Sequence, residues 1–234
     1  MSNSSVVYFP TLNKTTIIKS TEQLTTTSLM ATTLRVMNGV GWDYVSYTSL
    51  NISRFIFLKE LEIGNNCFTY VREFVLDGLE KLESVKIGEW CFRISYDERD
   101  DGVCRITNCP NLRQLDIGDG SFSDFNQFEL SNVNSLQSIT FGNYCFYVRE
   151  FVLDGLEKLE SVKIGEECFG ILWKERADGI CRITNCPSIR QLEIGNGSFR
   201  DFNQFELSNV NSLQSITFGD GCFFYAENCI LKGE

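Results

Sequence analysis

This chain should fold as a β-rich solenoid of about seven stacked coils, each 23–30 residues long and carrying two short parallel strands. Three observations lead there. Residues 70–146 and 147–223 align without a gap, and 63 of the 77 positions are identical. A landmark, apolar-x-apolar-Gly, recurs at Gly64, Gly88, Gly118, Gly142, Gly165, Gly195 and Gly219, at intervals of 24, 30, 24, 23, 30 and 24 residues. A phenylalanine closes each unit at Phe68, Phe92, Phe122, Phe146, Phe169, Phe199 and Phe223. A period in the twenties marks units that cannot bury a core alone and therefore stack.

The elements follow in chain order. Residues 1–49 break the period and are rich in threonine, yet hold Ile17, Ile18, Leu24, Leu29, Leu34, Val36 and Trp42. A solenoid needs a polar-faced cap over its first core, and this segment is assigned that role, with its first ten or so residues expected to be disordered. Residues 50–234 form the solenoid. In the unit from Phe74 to Phe92, Phe74-Val75-Leu76 and Val85-Lys86-Ile87 alternate in, out, in, which is the period of a half-buried strand. Between them stands a position held by Gly78, Asn108, Asn132, Gly155, Asn185 and Asn209. Only residues that tolerate positive φ occur there, so it is read as a left-handed turn. Leu79 and Leu82 then point inward. In-register stacking sets equivalent residues about 4.8 Å apart, so the closing phenylalanines should form a continuous aromatic spine. Cys229-Ile230-Leu231 begins a further coil, either a blunt cap or the start of a longer array.

The strand segments LESVKIGEWCF and LESVKIGEECF resemble leucine-rich repeats, and the I-G-x-x-(small)-F ending is similar to the BspA-like subclass, whose repeats end I-G-x-x-A-F. The likeness covers residues 50–234 and departs from the family in placing Cys or Ser where Ala is usual. It implies a right-handed leucine-rich-repeat solenoid with a parallel sheet acting as a binding surface, as in surface proteins of oral and gut bacteria and of parasitic protists.

Composition excludes several functions. The net charge is −10 with no basic stripe, which argues against phosphate-mediated nucleic-acid binding. There is no histidine, so Ser-His-Asp and Cys-His catalysis and every His-containing metal site are absent. No phosphate-cradling or nucleophile-elbow motif occurs, and no carboxylate pair stands out as a desolvated acid and base, so no enzyme and no cofactor is expected. No apolar run reaches the roughly 18 residues of a membrane span.

The ten cysteines fall on repeat positions. Cys67, Cys91, Cys145, Cys168 and Cys222 precede the spine phenylalanine, where Ser121 and Ser198 stand in sister coils. Cys104, Cys181 and Cys229 replace a first-strand phenylalanine, and Cys109 and Cys186 replace Leu79. They read as buried thiols, with disulfides or a metal as the alternatives. The longer coils carry six extra residues, at Arg93–Val103 and Gly170–Ile180. Arg99 breaks the alternation of Asp97, Glu98, Asp100 and Asp101 that a calcium loop would need, so a solvated loop is expected. Tyr96 and Trp173 occupy one place in the two loops and either meet a partner or fold back over the spine.

The outward row of the main strand is Glu62, Lys86, Asp116, Thr140, Lys163, Glu193 and Thr217. Its alternating signs relieve like-charge stacking, as do Arg105–Glu129 and Arg182–Glu206 on the other strand. The expected function is a non-enzymatic protein-interaction module that docks an unidentified protein through Glu62, Lys86, Asp116, Lys163, Glu193, Tyr96 and Trp173. Cysteine usage and an N-terminus without a secretory pattern place it in the cytoplasm. One alternative is a cell-surface or secreted adhesin, with sequons at Asn3, Asn13, Asn51 and Asn196. The other is a homo-oligomer stacked through the open C-terminal coil.

Overall fold

The computed structural model describes residues 14–42, 48–94, 102–170 and 179–232. Strand β1 (Thr15–Ile18) is followed by the short helix α1 (Thr21–Thr26), β2 (Thr33–Val36) and β3 (Ser49–Asn51). Two kinds of strand then alternate: β4 (Glu60–Ile63), β5 (Glu73–Asp77), β6 (Ser84–Ile87), β7 (Gly102–Thr107), β8 (Gln114–Ile117) and β9 (Phe125–Ser131). The second copy continues with β10 (Ser138–Phe141), β11 (Glu150–Asp154), β12 (Ser161–Ile164), β13 (Ile180–Thr184), β14 (Gln191–Ile194), β15 (Gln204–Ser208), β16 (Ser215–Phe218) and β17 (Asn228–Lys232).

All pairing is parallel, and the strands stack as in a β-solenoid with almost no helix. One wall is a nine-stranded sheet in the order β1-β2-β4-β6-β8-β10-β12-β14-β16. The segment before residue 49 thus lends two strands to this sheet, in register with Glu60–Ile63. Sequence reading missed them because Met37 replaces the landmark glycine there. The opposite wall is broken into two four-stranded sheets, β3-β5-β7-β9 and β11-β13-β15-β17. The break falls at the junction of the two copies.

The spine forms as expected. Successive rings from Phe68 to Phe223 stand 4.6–5.7 Å apart, and from Phe92 onward they lie within 7° of parallel. Phe125 and Phe202 pack edge-on against Phe122 and Phe199 at 4.9 and 5.0 Å. Unforeseen is the backbone beneath them: all seven spine residues have φ between 51° and 58°. A bulky residue in that region costs roughly 1–2 kcal/mol, and stacking each ring on its neighbours returns about 0.5–1.5 kcal/mol beyond burial. The turn position read from Gly78, Asn108, Asn132, Gly155, Asn185 and Asn209 also has positive φ throughout.

The landmark glycines answer a different demand, because their φ is ordinary while the preceding coil crosses directly beneath them. A Cβ on Gly118 would stand 2.7 Å from the carbonyl carbon of Gly88, and the same approach recurs down the row. The small residue before each spine phenylalanine ties these crossings together. Cys91 Sγ donates to Gly64 O at 3.0 Å, Ser121 Oγ to Gly88 O at 2.7 Å, Cys168 Sγ to Gly142 O at 2.9 Å and Ser198 Oγ to Gly165 O at 2.7 Å. Alanine could not make this bond, which accounts for Cys or Ser at these positions. Eight thiols are buried, whereas Cys222 is half-buried and Cys229 exposed, because nothing described packs beyond the last strands.

The two glycine roles separate under mutation. Gly118→Ala should cost about 1–3 kcal/mol by wedging two coils apart. Gly78→Asn, at φ 69° with open space around it, should change stability by under about 0.5 kcal/mol. Urea unfolding of both variants checks this.

Candidate functional site

The nine-stranded sheet sets the outward row in register. Arg35, Glu62, Lys86, Asp116, Thr140, Lys163, Glu193 and Thr217 are successive neighbours. Arg35 Nε binds Glu62 Oε2 at 2.5 Å, and Lys163 Nζ lies 3.7 Å from Glu193 Oε2. Asp116 instead accepts from Gln114 Nε2 at 2.6 Å. Among the described residues Lys86 closes no ion pair, so its ammonium stays exposed between two carboxylate-bearing coils. Five of the seven expected docking residues therefore share one polar face. Tyr96 and Trp173, with the acidic loop residues around Tyr96, lie outside the described residues.

Two aromatic residues that sequence reading passed over stand on the turn edge beside this face. Trp90 and Tyr144 are 39% and 51% exposed. The Trp90 ring covers Gly120 in the next coil, and the Arg93 guanidinium sits 5.1 Å from its centre. The second copy has Glu167, Gly170 and Gly221 where the first has Trp90, Arg93 and Tyr144. A signal for this edge did exist. Of the few mismatches between the copies, most of the non-conservative ones fall on this turn or on the inserted loop before β7 and β13.

The thiols do not shift alike: a hydrogen bond with Cys91 lowers Cys67, and one with Cys145 lowers Cys168. Burial pushes Cys109 and Cys186 up to about 11 and raises Cys104 and Cys181 further. Cys91 and Cys145 are raised by the adjoining thiols of Cys67 and Cys168 and by burial. No cluster of three or more metal-ligating side chains occurs among the described residues, and no described helix is long and apolar enough to cross a membrane. Asn51 is exposed, but the Asn196 sequon is built into the solenoid. Its Nδ2 donates to Glu166 at 3.1 Å, its Oδ1 accepts from the Asp220 amide at 2.8 Å, and Ser198 is buried. Asn3 and Asn13 lie outside the described residues.

On the broken wall, each copy carries one carboxylate ladder. Asp77 accepts from Thr107 Oγ1 and Asn108 Nδ2, both at 2.7 Å, and Asn132 donates on to Asn108 at 2.8 Å. Asp154, Thr184, Asn185 and Asn209 repeat the arrangement. The threonine hydroxyl first, and then the asparagine amide, hold both carboxyl groups below the usual range. A lowered folded-state pKa adds stability above the unfolded value, about 3.9, that is lost as pH falls through the folded one. The melting temperature should therefore drop as pH falls below about 4. In Asp77→Asn/Asp154→Asn, which keeps acceptors without a proton to take up, that drop should be smaller. A pH series of thermal melts reads the difference.

Comparison of the chain with family models, curated proteins and solved structures finds no match.

Proposed function

We propose that this chain is a non-enzymatic protein-interaction module: a right-handed leucine-rich-repeat solenoid of the BspA-like kind with about seven coils, docking a partner on its nine-stranded face. The observation that carries the reading is the in-register outward row on that sheet, which holds Lys86, Lys163 and Glu193 at the surface on a backbone fixed on both sides. A face ordered before binding loses little conformational freedom on docking. The buried thiols, hydrogen-bonded to carbonyls of adjoining coils, favour a reducing, cytoplasmic setting over the exported adhesin.

A photo-cross-linking side chain placed at Lys86 or Lys163, in protein expressed in its native cells, should give discrete protein adducts. Reversing the charge of the neighbouring row position should reduce their yield several-fold without changing the melting temperature. Adducts that spread evenly over many proteins, or a yield indifferent to the reversal, would overturn the reading.

A second reading, self-association, is favoured by the last coil. Phe218 is 43% exposed where its equivalent Phe141 is 1% exposed. With Leu207, Leu213, Ile216 and Leu231 it lines an apolar hollow of about 610 Å3. Light scattering behind size exclusion should then show a mass that rises with concentration, and a constant 26.7 kDa removes the reading.

A further inference from the structure

The two copies meet at a defect. From Phe68 to Phe74, Phe122 to Phe128 and Phe199 to Phe205 the corner before the strand takes six steps, but from Phe146 to Phe151 it takes five. The backbone stays joined at the corner, where Tyr147 N donates to Phe125 O at 2.9 Å. Beyond it β11 leaves β9. The turn amides of Gly78, Asn108, Gly155, Asn185 and Asn209 each donate to the next strand's carbonyl at 3.1–3.3 Å, yet no such bond joins Asn132 to Asp154. Nor does any bridge pair join β9 to β11.

The gap is a cleft of about 490 Å3, walled by Phe128 to Asn132 and Asn134 on one side and by Glu150, Val152, Asp154 and Leu156 on the other. Its effect on the core is visible by internal comparison. Phe205 and Leu207, in the same Q-F-E-L-S-N context, are 4% and 5% exposed, while Phe128 and Leu130 are only half-buried. The floor is thus apolar, and among the described residues both flanking strands present an edge without a partner.

The walls carry a sign. Arg105 is held between Glu73 at 3.1 Å and Glu129 at 3.5 Å, and Arg182 between Glu150 and Glu206 at 3.8 and 3.7 Å. Each triad has two carboxylates to one guanidinium, and each sends a carboxylate to the cleft. Asp154 adds a third, kept ionised by Thr184 and Asn185. No lysine or arginine is among the described residues lining the cleft.

We propose that the cleft between β9 and β11 binds an extended peptide segment of a partner protein, one that alternates apolar and basic side chains. The segment pairs its backbone with the free strand edge, seats apolar side chains over Phe128 and Leu130 on the inner face, and sets its cations against Glu129, Glu150 and Asp154 on the outer one. The proposal rests on the protein-interaction reading and adds a second, chemically defined contact on the opposite wall.

The probe is a fluorescein-labelled peptide alternating lysine and valine, titrated with the full chain by fluorescence anisotropy, beside a peptide alternating glutamate and valine. Saturable binding of the basic peptide alone is expected, weakened at least tenfold by Glu129→Gln/Glu150→Gln. Inserting one threonine between Phe146 and Tyr147 restores the six-step corner and should close the cleft and abolish binding. Absence of binding, equal binding of the acidic peptide, or binding unchanged in both variants would overturn the proposal. Charge reversal at Glu62 or Glu193, the row neighbours of the two cross-linker positions, should leave the titration unchanged while altering the cross-linking yield, so the two readings fail separately.

Discussion

In-register parallel stacking places every side chain about 4.8 Å from its equivalents in the coils above and below. Almost every other feature answers that spacing. A residue is tolerated only if it stacks on a copy of itself, hydrogen-bonds to one, or leaves room for one. Phenylalanine stacks, which is why the spine can hold a strained backbone in coil after coil. Asparagine and aspartate bond, as in the chains that run from Asp77 to Asn132 and from Asp154 to Asn209. Glycine leaves room where one backbone crosses another. Charge cannot stack on itself, and the rows accordingly alternate sign or fall back on serine and threonine.

This dependence is why so much of the fold could be read from the residues and why the remainder could not. Periodicity and the restriction to Gly or Asn at one position were enough to place the strands, the spine and a left-handed turn, since each is a statement about equivalents. The strands β1 and β2 carry no such signature: Met37 stands where glycine is usual, and the 18 residues from Ile18 to Val36 and the 27 from Val36 to Ile63 match none of the later intervals. Their membership in the sheet depends on tertiary pairing that no local pattern records. The positive φ of the spine phenylalanines was hidden for a different reason. Side-chain type argues against that backbone, and it is burial of the ring together with its stacking on the neighbours, both non-local gains, that outweighs the local preference.

The docking residues show the same division. Glu62, Lys86, Asp116, Lys163 and Glu193 could be placed on one row because strand alternation fixes which residues face outward. Their pairing could not, because an arginine one coil earlier takes Glu62, while Gln114 takes Asp116 from within its own strand. Lys86 is left exposed by the sum of its neighbours' choices. Trp90 and Tyr144 were overlooked because they sit at turn positions where other coils carry glycine or a polar residue. Gly120, at the equivalent position of the coil between them, leaves room for the Trp90 ring to lie down on it.

The cleft at the junction carries this reasoning to its limit, since there the sequence on both sides is nearly the same as elsewhere and only the spacing changes. Within each copy a Glu-Arg-Glu triad closes neatly, because each arginine has a coil on either side. Repeating the copy brings the glutamate end of one triad towards the glutamate end of the next with no arginine between them, and like charges on facing strands disfavour closure. The corner one residue short acts in the same direction by leaving β11 out of reach of β9. Two small features that are harmless inside a copy therefore combine where copies join, and they open the apolar interior behind an acidic rim. A duplication that conserves every coil can in this way create a site that neither copy contains alone.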